Sequence, residues 1–162
     1  MTVRYVVLAE EIRSELEKLK QVHQRIQDRS QRLPEDLAER EIHLDSLALN
    51  VHSFYTGLEN VFQIIASKVD GEVPSGERWH TELLLQMNTE LPELRPKVVS
   101  DGLLPGLREL LAFRHLIRNI YTFNIEEEKI LRICARLNAL AQGLFDELED
   151  FIGFLQTSGE NS

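Results

Sequence analysis

Apolar residues recur at intervals of three and four through most of the chain, and this spacing restricts the fold more than any other feature. The N-terminal segment shows it clearly, with charges of both signs on the opposite face. Its apolar positions are Val3, Val6, Val7, Leu8, Ile12, Leu16, Leu19, Val22 and Ile26. Such spacing forms one apolar stripe along an α-helix that packs against a partner. We predict a helix over residues 3–31, ended by the sequence Arg32-Leu33-Pro34.

The same spacing predicts four further helices. The second carries Pro34 in its first turn, and Gly57 within it marks a close helix crossing or a bend. A loop rich in glycine, proline and serine separates it from the third helix, and Ser100 or Asp101 is the expected N-cap of the fourth. The predicted spans are Pro34–Val69, residues 77–88, Leu103–Tyr121 and Ile125–Leu155, the last with Glu126, Glu127 and Glu128 in its first turn.

Signals for β-strands are absent from the sequence, because no run of β-branched residues alternates with a period of two. The predicted fold class is therefore all-α, an up-and-down bundle of about five helices. We expect a single helical domain over residues 1–157, followed by a disordered tail at residues 158–162.

Composition limits the classes of function. The chain has 162 residues and a formal net charge of −9, which argues against broad, non-specific binding to nucleic acid or membranes. A local basic patch on an acidic protein remains compatible with RNA. The single Cys134 excludes an intrachain disulfide and is expected to be a buried small hydrophobe. The chain shows no signal peptide and no long apolar run, so a cytoplasmic location is expected.

Most other conspicuous side chains are expected to be structural. Trp79 and Met87 are predicted to pack in the core, and His23 and His43 to be solvated because they lie in charged stretches. The sequence contains no glycine-rich phosphate loop and no metal-binding motif, and His52 and His80 are too far apart in sequence to predict a metal site. We therefore expect no cofactor and no bound metal.

The fourth predicted helix is unusual because charged residues interrupt its apolar face. On a helical wheel Arg114 falls in the middle of the apolar arc and Arg118 beside it, while His115 and Asn119 form a second polar row. A buried, unpaired guanidinium is very costly. The arc must therefore meet an acidic partner, a cleft or a subunit interface at this level. The residues alone leave a structural ion pair and a functional site both open.

The stretch "FRHLIRNIYTFN", residues 113–124, resembles the signature of the HEPN superfamily, and specifically of HepT-like ribonuclease toxins. That signature is an arginine, then four to six residues, then a histidine, often followed two residues later by a tyrosine. Arg114 matches the arginine, His115 the polar residue beside it, and Tyr121 the tyrosine. Asn119 stands where the family has its histidine. The stretches "LALNVHSFYTGLENVFQIIA" and "ERWHTELLLQM" also resemble the family's pattern.

The resemblance implies a homodimer in which two motif helices line a shared cleft, with RNA cleaved without a metal. Arg114 and Arg118 are then the candidate phosphate-binding residues. The family's partner is a small nucleotidyltransferase antitoxin that adenylylates the motif tyrosine, which makes Tyr121 the candidate modification site. Tyr121 as an ordinary core residue is an equal alternative.

Asn119 puts catalysis in question, because an amide cannot exchange a proton near neutral pH. Three alternatives follow. The chain is a ribonuclease toxin in which His115 or Asn119 adapts to the role of the missing histidine. It is a catalytically lapsed protein that binds a nucleotidyltransferase partner or RNA. Or it is a helical bundle without a site.

Overall fold

The computed structural model describes residues 2–118 and 125–160, which fold into five α-helices. These are α1 (Thr2–Ser30), α2 (Leu37–Ile65), α3 (Trp79–Met87), α4 (Leu104–Arg118) and α5 (Glu127–Glu160). No strand forms within the described ranges, where β pairing is limited to an isolated bridge between Leu91 and Arg95. No helix in those ranges is long and apolar enough to cross a membrane. The predicted all-α helical bundle is confirmed.

The long helices form the body of the bundle. α1 packs against both α2 and α5, and α2 also packs against α4 and α5. Most of the apolar positions predicted from the spacing lie in the core; Ile12 and Leu16 of α1, Phe54 and Phe62 of α2, and Leu144 of α5 are all fully buried. The prediction was wrong at the start of α1, where Val3, Val6 and Val7 are exposed. The short α3 and the segment after it cover one end of α2, next to α4.

The ends of α2 differ from the prediction. Pro34 lies before the helix, because Asp36 is the N-cap and its carboxylate accepts a hydrogen bond from the backbone N–H of Glu39 at 3.1 Å. A carboxylate at this position satisfies one of the unpaired N–H groups of the first turn. At the other end the helix widens into a π-helical turn, Ala66–Asp70, which ends at Gly71 with φ of +81°.

A buried arginine holds the segment between α3 and α4. Arg95 donates from Nε and Nη2 to the two carboxylate oxygens of Asp70, at 2.5 and 2.8 Å. Its remaining donors reach the backbone carbonyls of Thr89 and Pro96, each at 2.9 Å, and of Gln86 at 3.0 Å. All five N–H groups of a guanidinium are thereby used. Arg95 is a structural arginine whose burial is fully compensated.

The start of α4 also corrects a prediction. The helix begins at Leu104, and neither Ser100 nor Asp101 is its N-cap. The hydroxyl of Ser100 donates to Glu147 on α5 at 2.8 Å, and the carboxylate of Asp101 accepts a hydrogen bond from Asn88 at 2.9 Å. Both side chains therefore tie the connecting segment to its neighbours. α4 is described as far as Arg118, and the predicted continuation to Tyr121 lies outside the described residues.

Helix α5 is longer than predicted. It begins with Glu127 and Glu128 in its first turn, where the helix dipole favours acidic side chains, and Glu127 also pairs with Arg40 of α2. At its C-terminal end the helix continues to Glu160. Residues 158–160, which were expected to belong to a disordered tail, are therefore helical.

Two histidines expected to be solvated are half-buried, so that prediction was wrong. His43 donates from Nε2 to the backbone carbonyl of Arg29 at 2.7 Å. His23 lies between α1 and α5, where Nε2 and Asn138 Oδ1 are 3.1 Å apart and the ring meets Phe145 edge-on. Their charged sequence neighbours lie on other sides of the helices, while the imidazoles point towards helix contacts.

The core expectations for single residues are confirmed. Met87 is fully buried and Trp79 packs against the core from a half-buried position. Cys134 is 1% exposed, and burial raises the pKa of its thiol to about 12. Gly57 marks a close crossing, because a Cβ atom there would lie 2.9 Å from Leu19 Cδ2.

The closest glycine contact lies between α4 and α5. A Cβ atom on Gly106 would approach Leu140 Cδ2 to 2.6 Å, which is below van der Waals contact. We expect Gly106→Ala to lower the free energy of unfolding by about 1–3 kcal/mol, because the packed Leu140 side chain must shift to make room. Gly153→Ala is the matched control, since no atom lies within 4 Å of the new methyl group. This control should raise stability by about 0.4–1 kcal/mol through its effect on the unfolded chain. Equal urea midpoints for the two variants would contradict the close crossing.

The His23 environment predicts a pH dependence of stability. Burial lowers the pKa of His23 below its ordinary value of 6.5, and the hydrogen bond with Asn138 opposes that shift. The unfolded chain therefore binds the proton at higher pH than the folded chain does. The contribution of His23 to stability is present above the ordinary pKa and is lost as the pH falls through it. We expect the free energy of unfolding to fall less between about pH 7.5 and about pH 5.5 in His23→Gln than in the wild type, measured by urea titration. A loss that is unchanged in this variant would contradict the prediction.

Candidate functional site

Helix α4 buries Arg114 as the helical wheel predicted. The residue is 8% exposed and lies within the apolar face of the helix. The buried apolar residues of that face are Leu107, Leu110, Leu111, Phe113 and Ile117. A guanidinium among these side chains requires compensation from another element of the fold.

The compensation comes from Glu59 on α2. Its Oε1 lies 3.4 Å from Nε of Arg114, and the Glu59 side chain is 3% exposed. Nε also donates a hydrogen bond to Thr56 Oγ1, one helical turn earlier on α2, at 3.3 Å. The acidic partner that the sequence left open is therefore present. The contact is long for an ion pair and uses one nitrogen of the guanidinium.

The second oxygen of the same carboxylate binds a histidine. Glu59 Oε2 lies 2.6 Å from Nδ1 of His80, which is 5% exposed and lies in the first turn of α3. One buried carboxylate thus joins side chains from three helices. We call Glu59, His80 and Arg114 the polar cluster.

Hydrogen bonding around the polar cluster is incomplete. Within residues 2–118 and 125–160, the buried side-chain atoms without a hydrogen-bond partner are Nη1 of Arg114 and the hydroxyl oxygen of Tyr55. Burial and the charge of Glu59 raise the pKa of Tyr55, while the charge of Arg114 opposes the shift. Buried polar atoms almost always have partners, and Arg95 of this chain uses all five of its donors. Arg114 therefore differs from the structural arginine of the same fold.

Aromatic rings cover the His80 side of the cluster. The indole ring of Trp79 lies 3.5 Å from the His80 ring, centroid to centroid, with the planes inclined by 31°. On another side the ring of His115 meets His80 edge-on at 5.6 Å. His115 is exposed, so side-chain contacts connect the buried Glu59, through His80 and His115, to the protein surface.

An open groove borders the Arg114 side of the cluster. It lies between α1 and α2, has a volume of about 450 Å³, and includes Thr56 in its wall. Polar side chains that line it include Lys18, His52 and Asn60. Thr56 therefore contacts Arg114 and also lines a space that water or a ligand can enter.

The structure brings together only part of the predicted site. Arg114 lies against Glu59, and His115 lies against His80. Asn119 and Tyr121 lie outside the described residues, as does the side chain of Arg118. Arg108 is exposed and lies on the polar side of α4.

Glu59 and His80 were not among the site residues predicted from the sequence. Glu59 could have been found by the reasoning applied to Arg114, since it interrupts the apolar face formed by Leu58 and Phe62 of α2. His80 gave a weaker signal, because its apolar neighbours belong to a helix of a few turns. Glu59 and His80 are 21 positions apart and lie on different helices, so the spacing of residues within one helix could not predict their contact.

The Glu59–Arg114 pair predicts a strong coupling in stability. Removing one charge leaves the other buried and unpaired, so Glu59→Gln and Arg114→Met should each lower the free energy of unfolding by about 3 kcal/mol. The double variant should lose clearly less than the sum, as measured by urea denaturation. Glu109→Gln is the surface control, because its pair with Arg136 is 3.1 Å long and about half exposed. That control should change stability by less than about 1 kcal/mol. Additive losses at Glu59 and Arg114 would contradict a direct pair.

Comparison with known families identifies the chain. No curated protein and no solved structure matches it. A family model described as HepT-like protein matches residues 46–155, which include α3, α4, most of α2 and most of α5. All three members of the polar cluster lie inside the match. Because the match covers more than half of the chain and agrees with the all-α bundle, the chain belongs to the HepT-like family.

Proposed function

We propose that the chain is the toxin of a toxin–antitoxin pair and cleaves RNA without a metal ion. The observation that carries the proposal is the buried Nη1 of Arg114, which has no acceptor within the described residues. A guanidinium with a free donor in a mostly apolar surrounding can bind a phosphate oxygen more strongly than an exposed arginine can. Arg114 is thus the candidate ligand of the scissile phosphate.

Comparison with Arg95 supports a role beyond the fold. Arg95 is 3% exposed, and all of its N–H groups donate to protein oxygens. Arg114 is 8% exposed and forms one long ion pair and one hydrogen bond within the described residues. Incomplete compensation reduces stability, and such residues are concentrated at functional sites. The planar guanidinium also matches the geometry of a phosphate.

The reaction proposed is an internal transesterification. The ribose 2′-oxygen attacks the neighbouring phosphorus, the bond to the 5′-oxygen breaks, and the products carry a 2′,3′-cyclic phosphate and a 5′-hydroxyl. Negative charge builds on the phosphate oxygens in the transition state, which is where a preorganised guanidinium acts. The step also requires a group that accepts the 2′-hydroxyl proton.

The assembly is part of the proposal. A homodimer would bring two copies of Arg114 and Arg118 towards one cleft, which gives a local basic site on a molecule with a net charge of −9. A nucleotidyltransferase antitoxin would silence the site by adenylylating Tyr121. The bulk acidic charge then disfavours RNA elsewhere on the surface and restricts binding to the cleft.

A second candidate function rests on Asn119 and Glu59. Asn119 occupies the position of the family histidine, and Glu59 already offsets the charge of Arg114. Both features are compatible with a catalytically lapsed protein that binds a nucleotidyltransferase partner or RNA. His115 or Asn119 would have no role in proton transfer in that case.

Arg114→Lys tests the proposed reaction with little damage to the fold. Lysine keeps a charge for Glu59 but lacks the planar fork, so we expect metal-free cleavage of a mixed RNA substrate to fall by about 10²–10³-fold. Arg108→Lys is the matched control, because it makes the same change on the exposed face of the same helix. Its cleavage rate should equal that of the wild type.

The same assay separates the two candidate functions. A folded wild-type protein that cleaves no RNA, together with cleavage by Asn119→His, would establish the lapsed protein. Equal rates for Arg114→Lys and the wild type would remove Arg114 from the reaction.

A further inference from the structure

We propose that His80, oriented by Glu59, supplies the imidazole that accepts the 2′-hydroxyl proton. The inference rests on the proposed RNA cleavage and assigns the group that the motif position lacks. Asn119 cannot take a proton, whereas His80 is an imidazole held against the same carboxylate as Arg114.

The geometry at His80 determines which nitrogen is available. Nδ1 lies 2.6 Å from Glu59 Oε2, and a carboxylate oxygen accepts a hydrogen bond there. The proton of the neutral ring therefore lies on Nδ1, which leaves the lone pair on Nε2 free to accept another proton. The carboxylate also stabilises the imidazolium that forms, as the third member does in hydrolase triads.

Glu59 fixes the imidazole and the guanidinium relative to each other. Oε1 contacts Nε of Arg114 at 3.4 Å, and Oε2 contacts Nδ1 of His80 at 2.6 Å. The inclined indole ring of Trp79, 3.5 Å away between centroids, restricts rotation of the His80 ring. A phosphate-binding donor and a base held by one side chain have the fixed separation that rapid transesterification requires.

Each proton in the proposed step has a donor and an acceptor. Nε2 of His80 takes the proton from the 2′-hydroxyl while the 2′-oxygen forms its bond to phosphorus. The bond between phosphorus and the 5′-oxygen breaks with its electron pair on that oxygen, which takes a proton from water. The imidazolium then releases its proton to solvent, and His80 returns to its initial state.

The exposed side chain of His115 lies against this base. Its ring lies edge-on against His80 at 5.6 Å and is exposed, while His80 is 5% exposed. Exposed side chains change rotamer in picoseconds to nanoseconds, so movement of His115 is the proposed route by which the ribose approaches the His80 ring. In the described part of the chain, His115 has no carboxylate that fixes its tautomer, which distinguishes it from His80.

His80→Asn is the decisive variant. The asparagine amide lies near the position of Nδ1 and can still donate to Glu59, but nothing replaces Nε2. We expect metal-free RNA cleavage to fall by about 10²–10⁴-fold, with the melting temperature and RNA affinity close to those of the wild type. Residual cleavage should also lose the acidic limb of the pH–rate profile.

His43→Gln is the matched control. It also removes an imidazole, and the glutamine amide can keep the hydrogen bond to the Arg29 carbonyl. His43 is in the second turn of α2 and contacts the C-terminal end of α1, away from the polar cluster. Its cleavage rate and pH profile should match those of the wild type.

The outcomes separate the two levels of the proposal. Wild-type rates in His80→Asn, or loss confined to His115→Asn, would overturn the role of His80 and leave the cleavage reaction intact. Loss of cleavage with an equal loss of stability or RNA affinity would assign His80 a structural role only. Wild-type protein that cleaves no RNA would overturn the reaction and the role of His80 together.

A measurement on the wild-type protein tests the inference without any variant. Nitrogen-15 NMR of the imidazoles near neutral pH should show His80 protonated on Nδ1 and unprotonated on Nε2. A ring with the proton on Nε2, or one doubly protonated at the pH of maximal cleavage, would exclude Nε2 as the base. This result holds even if His80→Asn fails to fold.

Discussion

The structure around the candidate site depends on one buried carboxylate, that of Glu59. Its two oxygens are shared between a guanidinium on α4 and an imidazole on α3, while its own backbone belongs to α2. A carboxylate that is 3% exposed is tolerated only where charge and hydrogen bonds replace the lost water. The three helices are therefore held in one arrangement by a requirement for pairing as well as by apolar contact. Any change in the position of α3 alters the environment of Arg114.

The two buried arginines meet this requirement for pairing to different extents. Arg95 binds both oxygens of Asp70 and three backbone carbonyls, which leaves no donor unused. Arg114 has one long contact to Glu59 and a buried Nη1 without an acceptor in the described residues. Burial of the second kind is less stable, and selection for stability alone would replace it with an apolar residue. Retaining a partly satisfied charge beside a buried Tyr55 hydroxyl is consistent with a site that gains its last acceptors from a ligand.

Periodicity predicted the helices and the burial of Arg114, because both follow from which residues share one face of a helix. It placed helix ends less well: Asp36 caps α2 through its side chain, whereas Ser100 and Asp101 are engaged by Glu147 and Asn88. Such choices depend on neighbours that are distant in sequence. The contacts of Glu59 with Arg114 and His80 could not be predicted for the same reason, since they form only after α2, α3 and α4 have packed. Glu59 was still detectable as a polar residue within an apolar helix face. The two stretches that contain Glu59 and His80 were also among those that resemble the HepT-like family.

The proposed role of His80 as the base changes how the family motif is interpreted in this chain. A histidine on the motif helix would be fixed relative to Arg114 by helical spacing alone, so its replacement by Asn119 would abolish proton transfer. His80 is instead fixed by Glu59, which also holds the guanidinium, and the relation between base and phosphate ligand then passes through a side chain of α2. Position 119 is free to vary under this arrangement, while Glu59 becomes indispensable to both partners. Under the proposed role of His80, activity would depend less on the spacing of arginine and histidine in the motif than on the carboxylate that joins α3 to α4.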